Sequence, residues 1–122
     1  VYDASLATPS LISALSASDE RLQITAASVL ALTPLPAAQR AIAHVALDEK
    51  NSKSLRVAAF GSLAESAKNN ANLLEDSQVA ALVTIAKEDA DLTIRTAASQ
   101  TLGAINLSNN KASEIIRTYY GG

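Results

Sequence analysis

The sequence predicts an all-α fold, and three observations carry that expectation. Of its 122 residues 48% are hydrophobic, yet there is one Phe, three Tyr and no Trp, so the apolar content is mostly Ala, Leu, Ile and Val. A core of such small side chains needs closely approaching backbones, which helix-on-helix packing supplies; Ala has the best helix propensity, whereas sheets draw on β-branched and aromatic residues. Four Gly and three Pro are too few for a loop-rich scaffold. The third observation is an internal repeat, whose period identifies an architecture before any single element does.

Three stretches match. They start at Asp19, Ser52 and Asp91, offset by 33 residues (19 to 52) and 39 residues (52 to 91). Each opens on a helix-capping residue. Three positions later comes an apolar residue: Leu22, Leu55 and Ile94. A small pair follows (Thr25-Ala26, Ala58-Ala59, Ala97-Ala98), and then a Leu: Leu30, Leu63 and Leu102. Asp and Ser are favoured N-caps because their side-chain oxygens accept an otherwise unpaired amide of the first turn. Apolar residues then recur at helical spacing: Leu22, Ala26, Val29 and Leu30; Leu55, Ala59 and Leu63; Ile94, Ala98, Leu102 and Ile105.

A second helix is expected after each of these. Pro34 and Pro36 end the first and open the next, since Pro is tolerated in a first turn. Residues 37–48 place Ala38, Ile42, Val45 and Ala46 on one side; residues 76–88, capped by Asp76 or Ser77, do so with Val79, Leu82, Val83 and Ala86; residues 110–120 do so with Ala112, Ile115, Ile116 and Tyr119. Ahead of them, residues 9–17 carry Leu11, Ile12 and Leu15 and read as the second helix of a preceding, truncated repeat. The expectation is therefore one domain over residues 1–122. It has about seven helices: a leading helix 9–17, then repeats over about 19–48, 52–88 and 91–120, with an extended turn between 68 and 76. A chain without Met that opens at Val1 reads as processed or excised from a longer protein.

These copies resemble the HEAT repeat family, one of the α-solenoid families related to armadillo repeats. The family pattern is an Asp, an apolar-Arg pair, small residues, then Leu-Gly. Asp91-Leu92-Thr93-Ile94-Arg95-Thr96-Ala97-Ala98 with Leu102-Gly103 follows it closely. Leu55-Arg56-Val57-Ala58-Ala59 with Leu63 follows it well, with Ser52 in place of Asp, whereas the first copy has Gln23 at the Arg position. The resemblance implies a right-handed α-α superhelix of stacked hairpins. It also implies a ladder in which each Arg meets a neighbouring acid: Arg95 with Asp89 or Asp91, and Arg56 with Asp48 or Glu49.

The chemistry-bearing residues are sparse. The absence of Cys excludes disulfides and thiolate chemistry, and a net charge of −2 supplies no bulk attraction to nucleic acid or anionic lipid. His44 is the one histidine, with Asp48 four residues on as a possible orienting acid, and it reads as a surface residue. The acidic pairs Asp19-Glu20, Asp48-Glu49, Glu75-Asp76 and Glu88-Asp89 all fall at helix boundaries and read as caps, not as metal or acid–base sites. Gly61 inside a helical stretch reads as a point of close helix approach. No catalytic residue, cofactor or metal is expected.

The resemblance implies a protein-binding scaffold whose second helices line the contact surface. The candidate positions are Gln39, Arg40, Ala43, His44, Gln78, Ala81, Lys87, Lys111, Ser113 and Glu114, all off the apolar stripes. A structural spacer in a multidomain protein is the alternative, followed by a HEAT-like lyase or a nucleic-acid-binding module. The near-absence of aromatics between the scattered basic residues argues against the last two. The expected partner is a protein, with no nucleic acid and no membrane expected. The end helices, through Leu11, Ile12 and Leu15 and through Ile115, Ile116 or Tyr119, offer apolar surface for weak self-association. The chain reads as soluble, with cytoplasm and periplasm both open.

Overall fold

The computed structural model describes residues 4–105, with side chains from residue 8 onward. Six helices follow one another: α1 (Ala4–Ala14), α2 (Glu20–Leu30), α3 (Pro36–Leu47), α4 (Lys53–Asn70), α5 (Asp76–Glu88) and α6 (Leu92–Ile105). No strand occurs among the described residues. The all-α expectation holds there; the helix expected over 110–120 lies outside them.

The starts of the helices follow the capping chemistry. Asp19 accepts the amide of Arg21 at 2.9 Å, the Ser52 hydroxyl accepts that of Leu55 at 3.1 Å, and Asp91 accepts those of Thr93 and Ile94 at 2.8 and 3.3 Å. Pro36 is the first residue of α3. Helix α5 differs slightly: its cap is Glu75, whose amide donates to the Gln78 side chain at 3.3 Å, and Asp76 is the first helical residue. Helix α1 differs more. It runs from Ala4 to Ala14 with Pro9 inside it, instead of starting at Pro9 and reaching 17. Ala4, Leu6 and Ala7 are good helix formers and extend it backwards past the proline, and beyond Ala14 the chain tightens into i→i+3 turns at Leu15, Ser16 and Ala17.

Among the described residues every helix packs only against helices one or two places away in the chain. The pairs α1–α3, α2–α4, α3–α5 and α4–α6 alternate with α1–α2, α2–α3, α3–α4 and α5–α6. The core is continuous along this series. Its largest enclosed side chains are Phe60, Leu30, Ile42, Leu63 and Leu82, set among buried alanines. The second small residue of each repeat copy, Ala26, Ala59 and Ala98, is buried in all three. Small side chains at that register let successive helices approach. Gly61 does not mark such an approach: a Cβ there would meet nothing within 4 Å.

The turn between α4 and α5 is short, covering residues 71–75. It opens on Ala71, whose φ of 67° and ψ of −175° lie in a region that suits glycine. Such a conformation costs on the order of 1–3 kcal/mol for an L side chain. Ala71→Gly is therefore expected to stabilise the fold by about 1 kcal/mol, net of the extra freedom glycine gains in the unfolded chain. Equilibrium denaturation checks it; a loss of stability would show that the backbone there is unstrained.

Candidate functional site

The expected contact surface lies on α3 and α5, and the structure divides its residues into three groups. Arg40, His44 and Lys87 are exposed, and Gln78 and Ala81 are half-buried. Gln39 and Ala43 have no exposed surface at all, so neither can meet a partner. The correction has a simple cause. A single apolar stripe assumes one packing neighbour, but α3 touches α1, α2, α4 and α5, and this widens its buried arc beyond Ala38, Ile42, Val45 and Ala46. Lys111, Ser113 and Glu114 lie outside the described residues.

Arg40 and Gln78 come together. The Gln78 amide donates to the Arg40 carbonyl at 3.0 Å, and Arg40 Nε donates to the Leu73 carbonyl at 2.9 Å. These bonds tie the second turn of α3 to the first turn of α5 and to the turn before it. His44 stands one turn further along α3. Lys87 is nine residues beyond Gln78, about 13 Å away along α5 at helical rise, so it belongs to the other end of this face.

Gln39 has a different task from the expected one. Its Nε2 donates to the Ser66 hydroxyl at 3.1 Å and to the Ala71 carbonyl at 2.9 Å, while its Oε1 accepts the Leu73 amide at 2.7 Å. A fully enclosed amide thus holds both sides of the α4–α5 turn, including the strained Ala71. An isolated polar residue beside an apolar stripe is the only trace of this in the sequence.

The arginine ladder is also corrected. Arg56 is buried and donates from Nε to the carbonyl of Ala46 at 2.9 Å, in the last turn of α3, and its Nη2 has no partner. It meets neither Asp48 nor Glu49. Gln23, which occupies the same register position in the first copy, donates to the carbonyl of Leu15 at 2.8 Å, just past α1. The position therefore caps the C-terminal carbonyls of the preceding helix, where donors are needed and the helix end is negative. Arg95 makes no bond to Asp89 or Asp91 among the described residues, and its Nε is enclosed without a partner.

The cross-links between copies run instead along the helix starts. Glu20 accepts hydrogen bonds from the Ser52 hydroxyl and from the Ser54 hydroxyl, the latter at 3.3 Å. Lys53 Nζ lies 3.1 Å from Asp91 Oδ2. In both cases the first residue of one helix reaches the cap of the next equivalent helix. The Lys53 ammonium, with the amides of Ile94 and Thr93, holds the Asp91 carboxyl below its ordinary value, against a smaller opposing effect of desolvation.

The sequence reading missed one concavity. A cleft of about 360 Å³ opens between α1 and α3, lined by Ser16, Ala41, His44, Asp48 and Asn51 among others. Its polar groups serve the chain locally: Asn51 donates to the Val45 carbonyl at 3.0 Å, and Asp48 accepts the Lys50 amide at 2.9 Å. His44 donates no hydrogen bond to Asp48. Ser16 and Asn51 sit in turns, whose placement in space periodicity does not reveal. Among the described residues no three His, Cys, Asp or Glu side chains cluster as a metal site, and no helix is long and apolar enough to cross a membrane. No protein-family model matches the chain, and no curated protein matches it.

Proposed function

We propose that the chain is a run of HEAT-type helical repeats that serves as a non-enzymatic scaffold, docking another protein on the exposed face of α3 and α5. The observation that carries the reading is the recurrence of contacts at equivalent register positions. Gln23 and Arg56 each cap the helix before their own, and Glu20 and Lys53 each reach the cap of the next equivalent helix. Contacts confined to helices one or two apart are what stacked hairpins produce, each burying its apolar face against its neighbours. Right-handed stacking of those hairpins would leave the second helices lining one surface.

The contact residues on this reading are Arg40, His44, Gln78, Ala81 and Lys87. Arg40 and Gln78 are fixed by their hydrogen bonds, and such fixed side chains lose little freedom on binding. The test pairs His44→Glu with Lys87→Glu, two exposed positions whose side chains make no hydrogen bond among the described residues. Capture of a partner by the wild-type chain, identified by cross-linking to this face, should fall at least tenfold in the double variant, while the unfolding temperature falls by only a few degrees from placing acids in the last turns of two helices. Capture that survives both charge reversals would remove this face from the proposal, and a wild-type chain that captures nothing would favour a spacer.

A further inference from the structure

We infer that the cleft between α1 and α3 binds a primary ammonium group carried on an aliphatic stem, and that Asp48 is the residue that holds the charge. The distribution of charge is the first argument. The residues lining the cleft include one carboxylate, that of Asp48, and no lysine or arginine. Asp48 makes no ion pair among the described residues. It is the C-cap of α3, and Ser16, on the opposite wall, lies in the turn that follows the last residue of α1. Two helix C-terminal ends therefore meet at the cleft, and each carries partial negative charge. The field inside favours a cation.

The hydrogen-bonding groups select the kind of cation. The local bonds at the cleft engage donors and leave acceptors. Gln23 directs its side-chain N–H to the Leu15 carbonyl, and Asn51 directs its own to the Val45 carbonyl. The side-chain oxygens of Gln23 and Asn51, and the second oxygen of Asp48, accept nothing among the described residues. An ammonium, with three donors and no acceptor, matches such a set. Leu15 and Val45, each 5% exposed, and the half-buried Ile12 and Ala41 supply apolar surface for a stem. At about 360 Å³ the cleft is at the small end of ligand sites. Other cations fit less well. No aromatic ring lines the cleft to face a quaternary ammonium. One carboxylate and one imidazole fall short of the ligand sets of zinc or calcium. One Asp48 oxygen already accepts the Lys50 amide, which leaves no free bidentate edge for a guanidinium.

Titration of the isotope-labelled full chain with n-pentylamine, followed by amide NMR, tests the assignment. The amide resonances of Ala41, His44, Val45, Asp48 and Asn51 should shift together and saturate in the millimolar range, the affinity expected of a ligand with about six heavy atoms. Those of α5 and α6 should stay in place. n-Pentanol, the same stem without the charge, should bind at least tenfold more weakly. Asp48→Asn should also weaken pentylamine at least tenfold, since a hydrogen bond to a charged group is lost. That variant keeps the side-chain oxygen that accepts the Lys50 amide, so the fold is retained. Nα-acetyl-lysine methylamide separates two sources of the same group. Tighter binding than pentylamine assigns the site to a lysine side chain of another protein, and weaker binding assigns it to a free aliphatic amine; both support the site. No saturable shift in the millimolar range, equal binding of pentanol, or undiminished binding by Asp48→Asn would each overturn the proposal.

Discussion

Replacing Gln39 with Leu is expected to destabilise the fold by about 3 kcal/mol, although the new side chain is of similar size and more apolar. The loss follows from what the amide holds. Its removal leaves the Leu73 amide, the Ala71 carbonyl and the Ser66 hydroxyl without their partner. Each buried group left unsatisfied costs about 1–3 kcal/mol, reduced here because Ala71 and Leu73 have some access to water. For a domain of this size the result is a fall in unfolding temperature of roughly 10 °C. The effect should also be local. Amide exchange should accelerate first in the last turn of α4 and the first turn of α5, since the staple holds the turn between them. If Gln39→Leu is neutral, the amide is an incidental occupant of the core and the turn is held by apolar packing alone.

Replacing Arg56 with Ala is expected to cost about 3 kcal/mol. Two losses add: the packing of a buried stem, as in other large-to-small changes, and the hydrogen bond to the Ala46 carbonyl at the end of α3. A partial gain opposes them, because the buried guanidinium has one nitrogen without a partner. The first copy supplies the informative control, since Gln23 performs the same capping with a neutral amide. Arg56→Gln should therefore lose less than Arg56→Met, which restores volume but has no donor. Denaturant midpoints of the three variants check the order Gln, Met, Ala from most to least stable. A methionine variant as stable as the wild type would show that the cap contributes nothing.

These two residues also show where sequence reasoning reached its limit. Arg56 was legible as a repeated position, and the resemblance to HEAT repeats implied an acidic partner nearby in the chain. The structure gives it a carbonyl instead. The choice between them depends on where the end of α3 lies relative to the start of α4, which spacing along one chain does not specify. Gln39 was legible only as a polar residue off the stripe of α3 and so was read as surface. Its burial requires α4 and α5 to close over α3, a fact about three helices that no single helix records. The exposed leucines moved for the same reason. Leu15, expected at an open end, is 5% exposed, and Leu11 and Ile12 are half-buried, while Leu22 and Val29 on α2 and Leu32 just past it face outward.

The sequence by itself determined the helical class, the three capped helix starts at Asp19, Ser52 and Asp91, the small residues that let the helices approach, and the register that makes the copies comparable. All of these rest on interactions within a few residues: a cap bonds an amide two or three positions on, and periodicity is a property of one helix. Only the tertiary structure decided that Gln39 and Ala43 are enclosed, that Arg56 caps α3, that Lys53 instead of an arginine meets Asp91, and that α2 carries the open apolar face. Each of these depends on how many neighbours a helix has and at what height they cross it, and those quantities arise only when the helices are packed together.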